Sequence, residues 1–264
     1  SITLGARDQK LYSGIFTTGV KTGAYDKSKI TPTVAVLGKL GNYSLYGNYS
    51  EGLSQGATAP NTATNARENL APFVSKQYEA GVKYNAGTFG LTAAVFQISQ
   101  PSTYTTTAGR FVADGEQRNR GLELSTFGEP LNGVRLLGGI TLIDPEQTQT
   151  LNGVNDGKDG IGVPRVNVVM NGEYDIFGIP GLTLTGRITA FSDAQADVGN
   201  TQSIPGWTRL DAGARYVTDV SGKVVTLRAN VMNLTDRDYW NSVSRSFITQ
   251  GAPRTALISA TVDF

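Results

Sequence analysis

Apolar and polar residues alternate along most of this chain. The last segment sets Ala256, Ile258, Ala260, Val262 and Phe264 on one parity against Leu257, Ser259, Thr261 and Asp263 on the other, the period of two expected of a strand with unlike faces. Leu182, Leu184, Gly186, Ile188 and Ala190 oppose Thr183, Thr185, Arg187 and Thr189. Leu210, Ala212, Ala214 and Tyr216 oppose Arg209, Asp211, Gly213 and Arg215, and Val225, Leu227, Ala229 and Val231 oppose Thr226, Arg228 and Asn230. Tyr78, Ala80, Val82 and Tyr84 stand opposite Glu79, Gly81 and Lys83. Twelve strands are predicted on this basis, near 2–11, 31–40, 43–52, 76–85, 89–99, 111–127, 134–144, 163–176, 182–192, 207–218, 224–234 and 248–264. The second, with Val34, Val36, Leu37 and Lys39, alternates least well.

The links between strands differ by side. After every even strand comes a short Gly-, Asn-, Asp- or Pro-bearing turn: Gly41-Asn42, Ala86-Gly87-Thr88, 128–133, 177–181 and 219–223. Such turns join antiparallel neighbours as hairpins. After the odd strands the pattern predicts links of roughly ten to twenty residues, rich in Thr, Asn, Gly, Ala and Gln. Short turns on one rim and long loops on the other are the layout of outer-membrane barrels.

Alternation alone does not say which face is outside, because a soluble barrel or sandwich would bury the same apolar face. The strand length does discriminate. Soluble strands are usually about 5–6 residues long, whereas membrane-crossing strands need about ten. A charge on the lipid side near the bilayer midplane costs roughly 2–4 kcal/mol, and here the charges of several strands fall on one parity. The predicted fold is therefore all-β: a transmembrane antiparallel up-and-down β-barrel over residues 1–264, its charged parity turned inward. On this reading Arg187, Arg209, Asp211, Arg215 and Arg228 line the lumen, where such charges most often satisfy one another. Val225, Leu227, Ala229, Val231, Leu182, Leu184, Ile188, Ile258 and Val262 meet lipid.

Composition removes most other chemistry. The 264 residues hold 23 Lys plus Arg against 22 Asp plus Glu, so no global field marks a nucleic-acid partner. There is no Cys and no His, which excludes thiol catalysis, disulfides, imidazole bases and most zinc sites. With no His for a Ser-His triad and no Gly-x-Ser-x-Gly elbow, no enzyme is expected. Asn155-Asp-Gly-Lys-Asp-Gly160 has neither the alternating ligand spacing nor the closing Glu of a calcium loop, and is expected to be a solvated turn. No metal site is expected. No apolar run is long enough for a transmembrane helix, and no charged and apolar leader opens the chain.

Several segments resemble one family. Asn230-Val-Met-Asn-Leu-Thr-Asp-Arg-Asp-Tyr-Trp240 is similar to the penultimate-strand motif of TonB-dependent siderophore receptors, and Gly251-Ala-Pro-Arg254 follows at the family's usual distance. Leu45-Tyr-Gly-Asn-Tyr-Ser-Glu-Gly52, Lys76-Gln-Tyr-Glu-Ala-Gly-Val-Lys83, Asn119-Arg-Gly-Leu-Glu-Leu124 and Val163-Pro-Arg165 resemble further barrel elements in the family's order. The pattern looks most like the ferrichrome and hydroxamate branch. The resemblance implies a bacterial outer-membrane receptor, both termini periplasmic, carrying a ferric siderophore as transported ligand with no cofactor bound directly.

Family barrels have 22 strands and an amino-terminal plug. Here about twelve strands are read, with no plug and no energy-coupling box, so the piece is either part of a 22-stranded barrel or a smaller barrel closed alone. The alternative function is then a plug-less passive pore. Implied partners are outer-membrane lipid, the barrel-assembly machinery through the terminal Phe264 signal, and the TonB complex where a plug is present. Aromatic loop residues can enclose a bulky ligand and cations can attract an anionic chelate, so Tyr104, Arg110, Phe111 and Trp240 are the expected ligand contacts. Asn233, Asp236, Arg237 and Tyr239 are expected to shape the top of a strand and its turn.

Overall fold

The computed structural model describes residues 1–244 and 247–263, so the expectation placed on Phe264 lies outside the described residues. Twelve antiparallel strands follow one another in a single sheet with no crossover. They are β1 (Ile2–Thr17), β2 (Val20–Leu40), β3 (Tyr43–Ser54), β4 (Phe73–Asn85), β5 (Phe89–Thr105), β6 (Phe111–Leu131), β7 (Val134–Gln149), β8 (Val166–Asp175), β9 (Leu182–Phe191), β12 (Trp207–Val220), β13 (Lys223–Met232) and β16 (Thr255–Val262). Two small hairpins interrupt the order, β10 (Ala194–Gln195) with β11 (Ser203–Ile204), and β14 (Trp240–Ser244) with β15 (Phe247–Gln250). The only helical element among the described residues is one short turn at Leu151–Gly153.

The expected order and direction of strands hold, but several bounds differ from the sequence reading. β5, β6 and β7 run on to Thr105, Leu131 and Gln149, so that only the short link 106–110 follows β5 where a long loop is expected. Two further segments are organised differently. Residues 12–30 are not a loop: β1 and β2 continue as one long hairpin closed by Thr18-Gly19. Both turn residues have positive φ, 49° and 82°, the conformation that matches strand twist in a two-residue turn. Weak apolar alternation hid this extension, since both faces of 12–30 carry polar residues. The segment 248–264 is also divided. Phe247–Gln250 pairs with β14, and only Thr255–Val262 joins the main sheet beside β13. Gly251 and Pro253 separate them, and Pro cannot donate to a ladder.

Two compact units emerge. The first comprises Ser1–Val82, Ala94–Gly121 and Asp144–Gly160. In it, β1 to β3 set Ile2, Leu4, Val34, Val36 and Leu45 on one exposed apolar face. The segment 55–72 folds down by its own bridge, Thr58 to Asn69, over the buried Tyr25, whose hydroxyl accepts the Gly56 N–H at 3.1 Å. Gly56 is obligatory there, because a Cβ would lie 2.1 Å from the Ala71 carbonyl oxygen.

The second unit comprises Lys83–Ala93, Leu122–Ile143 and Ile161–Phe264. Its β8, β9, β12, β13 and β16 pair in continuous register. That register aligns Tyr174, Leu184, Ala214, Ala229 and Ile258 on one face and Asp175, Thr183, Arg215, Arg228 and Ser259 on the other. Ile258 is 83% exposed, an arrangement that is unfavourable in water and natural in lipid.

Candidate functional site

The polar face of the second unit is built by register. Asp211 lies opposite Arg187, Arg215 opposite both Thr183 and Arg228, and Arg209 opposite Thr189. Arg187, Arg209, Asp211, Arg215 and Arg228 therefore share one face. Most of its charge is internally matched. The Arg135 guanidinium donates to both Asp175 carboxylate oxygens at 2.7 and 2.6 Å and to Glu173 at 3.0 Å. Arg215 reaches the same Glu173 at 3.1 Å, and Thr183 donates to Asp175 at 2.7 Å. Two cations and two carboxylates thus form one fork-shaped network, the geometry in which arginine binds most specifically.

Higher on the same face, Arg209 donates to Asp211 at 3.0 Å. Its Nε comes within 3.0 Å of the other carboxylate oxygen as an ion-pair contact, without a hydrogen-bonding angle. Asp211 also accepts the Asn233 backbone N–H at 2.8 Å. Asn233 is 1% exposed. Its side chain donates to the carbonyls of Arg237 and Ala252 at 2.9 and 3.1 Å and accepts the Arg237 N–H at 3.0 Å. One amide thereby closes the turn after β13 and ties it to the strand that returns as β16. Asn tolerates the left-handed backbone this requires, φ 52°.

Beside it stack Phe191, Trp207 and Tyr239, with ring centroids 5.0 and 4.2 Å apart along the row. Gly251 lies against Tyr239, where a Cβ would fall 2.2 Å from the ring. Arg254 pairs with Asp236 at 2.6 Å, and that hydrogen bond holds the Asp236 carboxyl below its usual range. The motif at 230–240 is thus a folded knot whose side chains mostly hold one another.

The expected ligand contacts lie in different places. Tyr104, near the end of β5, and Phe111, at the start of β6, are half-buried in the first unit. Arg110 sits in the turn between them, its backbone closing on Thr106 at 2.8 Å. Its guanidinium is engaged by Glu68 at 3.1 Å. Asn65 pairs with the Phe111 backbone through both its amide nitrogen and its oxygen, at 3.0 and 2.9 Å. Glu68 and Asn65 were not legible as partners, because the segment 55–72 has no period from which to place them. Trp240 belongs to the second unit, on β14, and is 44% exposed.

Two further arrangements, one in a loop and one across paired strands, also escaped the sequence reading. Asp197 organises the small β10–β11 hairpin: its carboxylate accepts the N–H groups of Gly199, Thr201 and Gln202 at 2.8, 3.0 and 2.7 Å. Desolvation opposes ionisation there, but these donors outweigh it and hold the carboxyl below its usual range. A cluster in the first unit joins Arg118 and Arg120 to Glu146, with Arg120 also 3.3 Å from Asp144. In the 155–160 turn, Asp156 accepts from Thr150 at 2.7 Å and Lys158 donates to Asn155 at 2.9 Å.

Relatives place this architecture. The family described as TonB dependent receptor-like, beta-barrel, matches residues 1–234. The chain belongs to that family. It is 38% identical to the ferrichrome receptor FcuA of Yersinia enterocolitica over its full length, covering 36% of that protein. It is 28% identical to the ferrioxamine B receptor of Salmonella typhimurium, covering 99% of this chain and 38% of the relative. Among solved structures, BauA, the ferric preacinetobactin receptor from Acinetobacter baumannii, superposes with a TM-score of 0.86 at 43% identity, covering all of this chain and 40% of BauA. The chain thus spans well under half the length of these relatives. Its family is one of receptors rather than enzymes, and the family's barrels reside in the outer membrane.

Proposed function

We propose that residues 1–264 are one stretch of the barrel of an outer-membrane receptor that takes up a ferric siderophore. The plug lies outside this stretch, and the TonB complex drives transport through it. The observation that carries the reading is the division of faces in register: exposed aliphatic side chains on one side of β8 to β16, and the Arg135–Glu173–Asp175–Arg215 network on the other. Charges matched within a water-filled lumen, with lipid against the aliphatic face, satisfy both solvents. The cargoes for which the relatives are named, ferrichrome, ferrioxamine B and ferric preacinetobactin, favour a receptor over a plug-less passive pore.

On this reading Arg187, Arg209, Asp211, Arg215 and Arg228 line the lumen, and both ends of the stretch lie on the periplasmic side with the short turns. Tyr104, Arg110, Phe111 and Trp240 stand on the outer side, where the ligand arrives. Outer-membrane lipid and the barrel-assembly machinery are the remaining partners, the latter reading Phe264. The test is uptake of labelled iron, supplied as ferrichrome or ferrioxamine B, by iron-starved cells whose only siderophore receptor is the full-length protein. Accumulation that disappears when TonB is removed is the expected result. Accumulation independent of TonB, together with leakage of unrelated small solutes, would replace the receptor with a pore.

A further inference from the structure

The segment between β3 and β4 has the marks of a fixed piece rather than a moving one. It closes on itself: the Leu70 N–H donates to the Ala57 carbonyl at 3.0 Å, the Ala59 N–H to Glu68 at 2.9 Å and the Arg67 N–H back to Ala59 at 3.0 Å. Its two ends meet at Gly56, which lies against the carbonyls of Leu70 and Ala71. Ala59 and Ala63 are buried inside it. A loop whose ends are close and which packs on itself is a compact unit. Arg67 keeps a left-handed backbone, φ 64°, a conformation that persists only where the surroundings fix it.

Both ends of this unit are tied to other hairpins. At the foot, Tyr25 holds Gly56, and the Asn69 side chain donates to the Ala24 carbonyl at 3.2 Å. Tyr25 has the polar parity of Thr31 and Thr33, and β2 is paired on both sides, by β1 and β3, so the foot stands inside the sheet. At the tip, the Thr64 N–H donates to the Gly109 carbonyl at 2.9 Å. The Asn65 amide meets both the N–H and the carbonyl of Phe111, as a paired strand would. The turn that it grips is itself tight, with the Thr106 N–H on Arg110 at 2.8 Å and the Gly109 N–H on Thr106 at 2.9 Å.

A lid has the opposite properties. It makes few buried contacts, and its two arrangements lie close in free energy. Here, lifting the tip takes a partner from the Gly109 carbonyl and from both backbone groups of Phe111 at once, and each lost bond adds to the cost.

We propose that residues 55–72 are a preset clamp, with Asn65 as the positioning residue that holds the 106–110 turn and Phe111 in one place before cargo arrives. The link to cargo rests on the receptor reading above; the clamp itself does not. A site held in its binding arrangement loses no affinity to ordering when the ligand comes.

The chain has no cysteine, which allows a direct measurement. Nitroxides are placed on Thr62→Cys, at the exposed tip, and on Leu45→Cys, on the exposed face of β3, in the full-length receptor, any cysteine elsewhere having been changed to serine. The free protein should show one narrow distance. It should move by less than about 2 Å when ferrichrome is added at a concentration that saturates uptake. A broad or double distribution without ferrichrome, or a larger shift with it, would make the segment a lid and overturns the clamp. Asn65→Ala should add a second distance, and Asn65→Asp, which keeps the acceptor for the Phe111 N–H, should add less of it. A distribution unchanged by Asn65→Ala takes the positioning role from Asn65.

The same variants show what the clamp does for transport. Where only the clamped form receives cargo, the ferrichrome concentration for half-maximal iron uptake rises by the reciprocal of the clamped fraction, about threefold when one third remains clamped. The maximal rate stays the same. An unchanged half-saturating concentration beside a shifted distance would confine the clamp to the fold and overturns its part in transport. Failure of the receptor reading looks different: no iron complex is taken up by any variant, while the distances still report the clamp.

Discussion

The β1–β2 hairpin and the polar wall of the second unit solve the same problem in opposite ways. In the second unit the arginines of β7 and β12 meet carboxylates of β8 and β12 at 2.6–3.1 Å, and Asp211 in addition fixes the turn that follows β13. In the β1–β2 hairpin the carboxylates sit on the other parity, and Arg7, Lys27 and Lys29 share their face with no carboxylate of the hairpin. Both faces come from the same period-two alternation. The difference is where acids fall relative to bases across a pair of strands, which decides whether the charges of a wall hold one another.

The sharpest way to break the second unit's side of this contrast is Asn233→Ala. The substitution removes three hydrogen bonds from a side chain that is 1% exposed, taking a partner from the Arg237 and Ala252 carbonyls and from the Arg237 N–H. The expected loss is about 2–4 kcal/mol, read as a lower urea midpoint for the detergent-folded full-length receptor. Gly251→Ala forces a Cβ into the Tyr239 ring and should cost about 1–3 kcal/mol by the same measurement. An unchanged midpoint for both would mean that the knot after β13 does not hold the sheet.

A step smaller is Asp211→Ala. It strips Arg209, whose side chain is 20% exposed, of its carboxylate and frees the Asn233 N–H. The pair is partly solvated, so the expected cost is about 1–2 kcal/mol, below that of breaking a fully buried pair. Asp211→Asn, which keeps an acceptor for Asn233, should recover part of it. Equal losses for the two variants would show that the charge, and not the bond to Asn233, is what matters.

Much of this was legible in the sequence. The strand count, order and antiparallel sense followed from period-two alternation and from the Gly- and Asn-bearing turns, and the family followed from motifs such as 230–240. The face shared by Arg187, Arg209, Asp211, Arg215 and Arg228 was readable because parity is a local property. What escaped was non-local. Tyr25 closing on Gly56, Asn65 on Phe111 and Glu68 on Arg110 each join segments 31, 46 and 42 residues apart. No periodicity connects a loop to the hairpin it folds over. The extension of β1 and β2 through 12–30 was hidden for a different reason: where both faces carry polar residues, alternation carries no amplitude.

The Asp236–Arg254 pair gives a smaller effect with a definite pH sign. The folded-state pKa of Asp236 is depressed by Arg254. Its contribution is therefore present above the unfolded pKa, about 3.9, and is lost as the pH falls through the lower folded value. Both side chains are about half exposed, 52% and 51%, so screening keeps the effect small. Asp236→Asn should flatten the acid limb of the unfolding midpoint slightly and leave the neutral region nearly unchanged. A large loss at neutral pH would assign Asp236 a role beyond this pair.

The smallest expected effect bears most directly on the contrast. Lys27→Gln with Lys29→Gln removes two exposed cations that face no carboxylate of the hairpin, so no ion pair within it is broken and a modest repulsion is relieved. Surface changes of this kind usually lie within about 0.5 kcal/mol, and relief of like-charge crowding places this one on the stabilising side. The urea midpoint of the full-length receptor should hold or rise slightly, and the rise should fade in high salt, because screening already removes the repulsion there. A clear drop in stability would show that the two lysines hold the fold through an acidic partner elsewhere in the polypeptide, and the hairpin would then belong with the matched walls of the second unit. Unchanged stability separates the two faces as argued: removing charge from the second unit's wall costs the fold, and removing it from the hairpin does not.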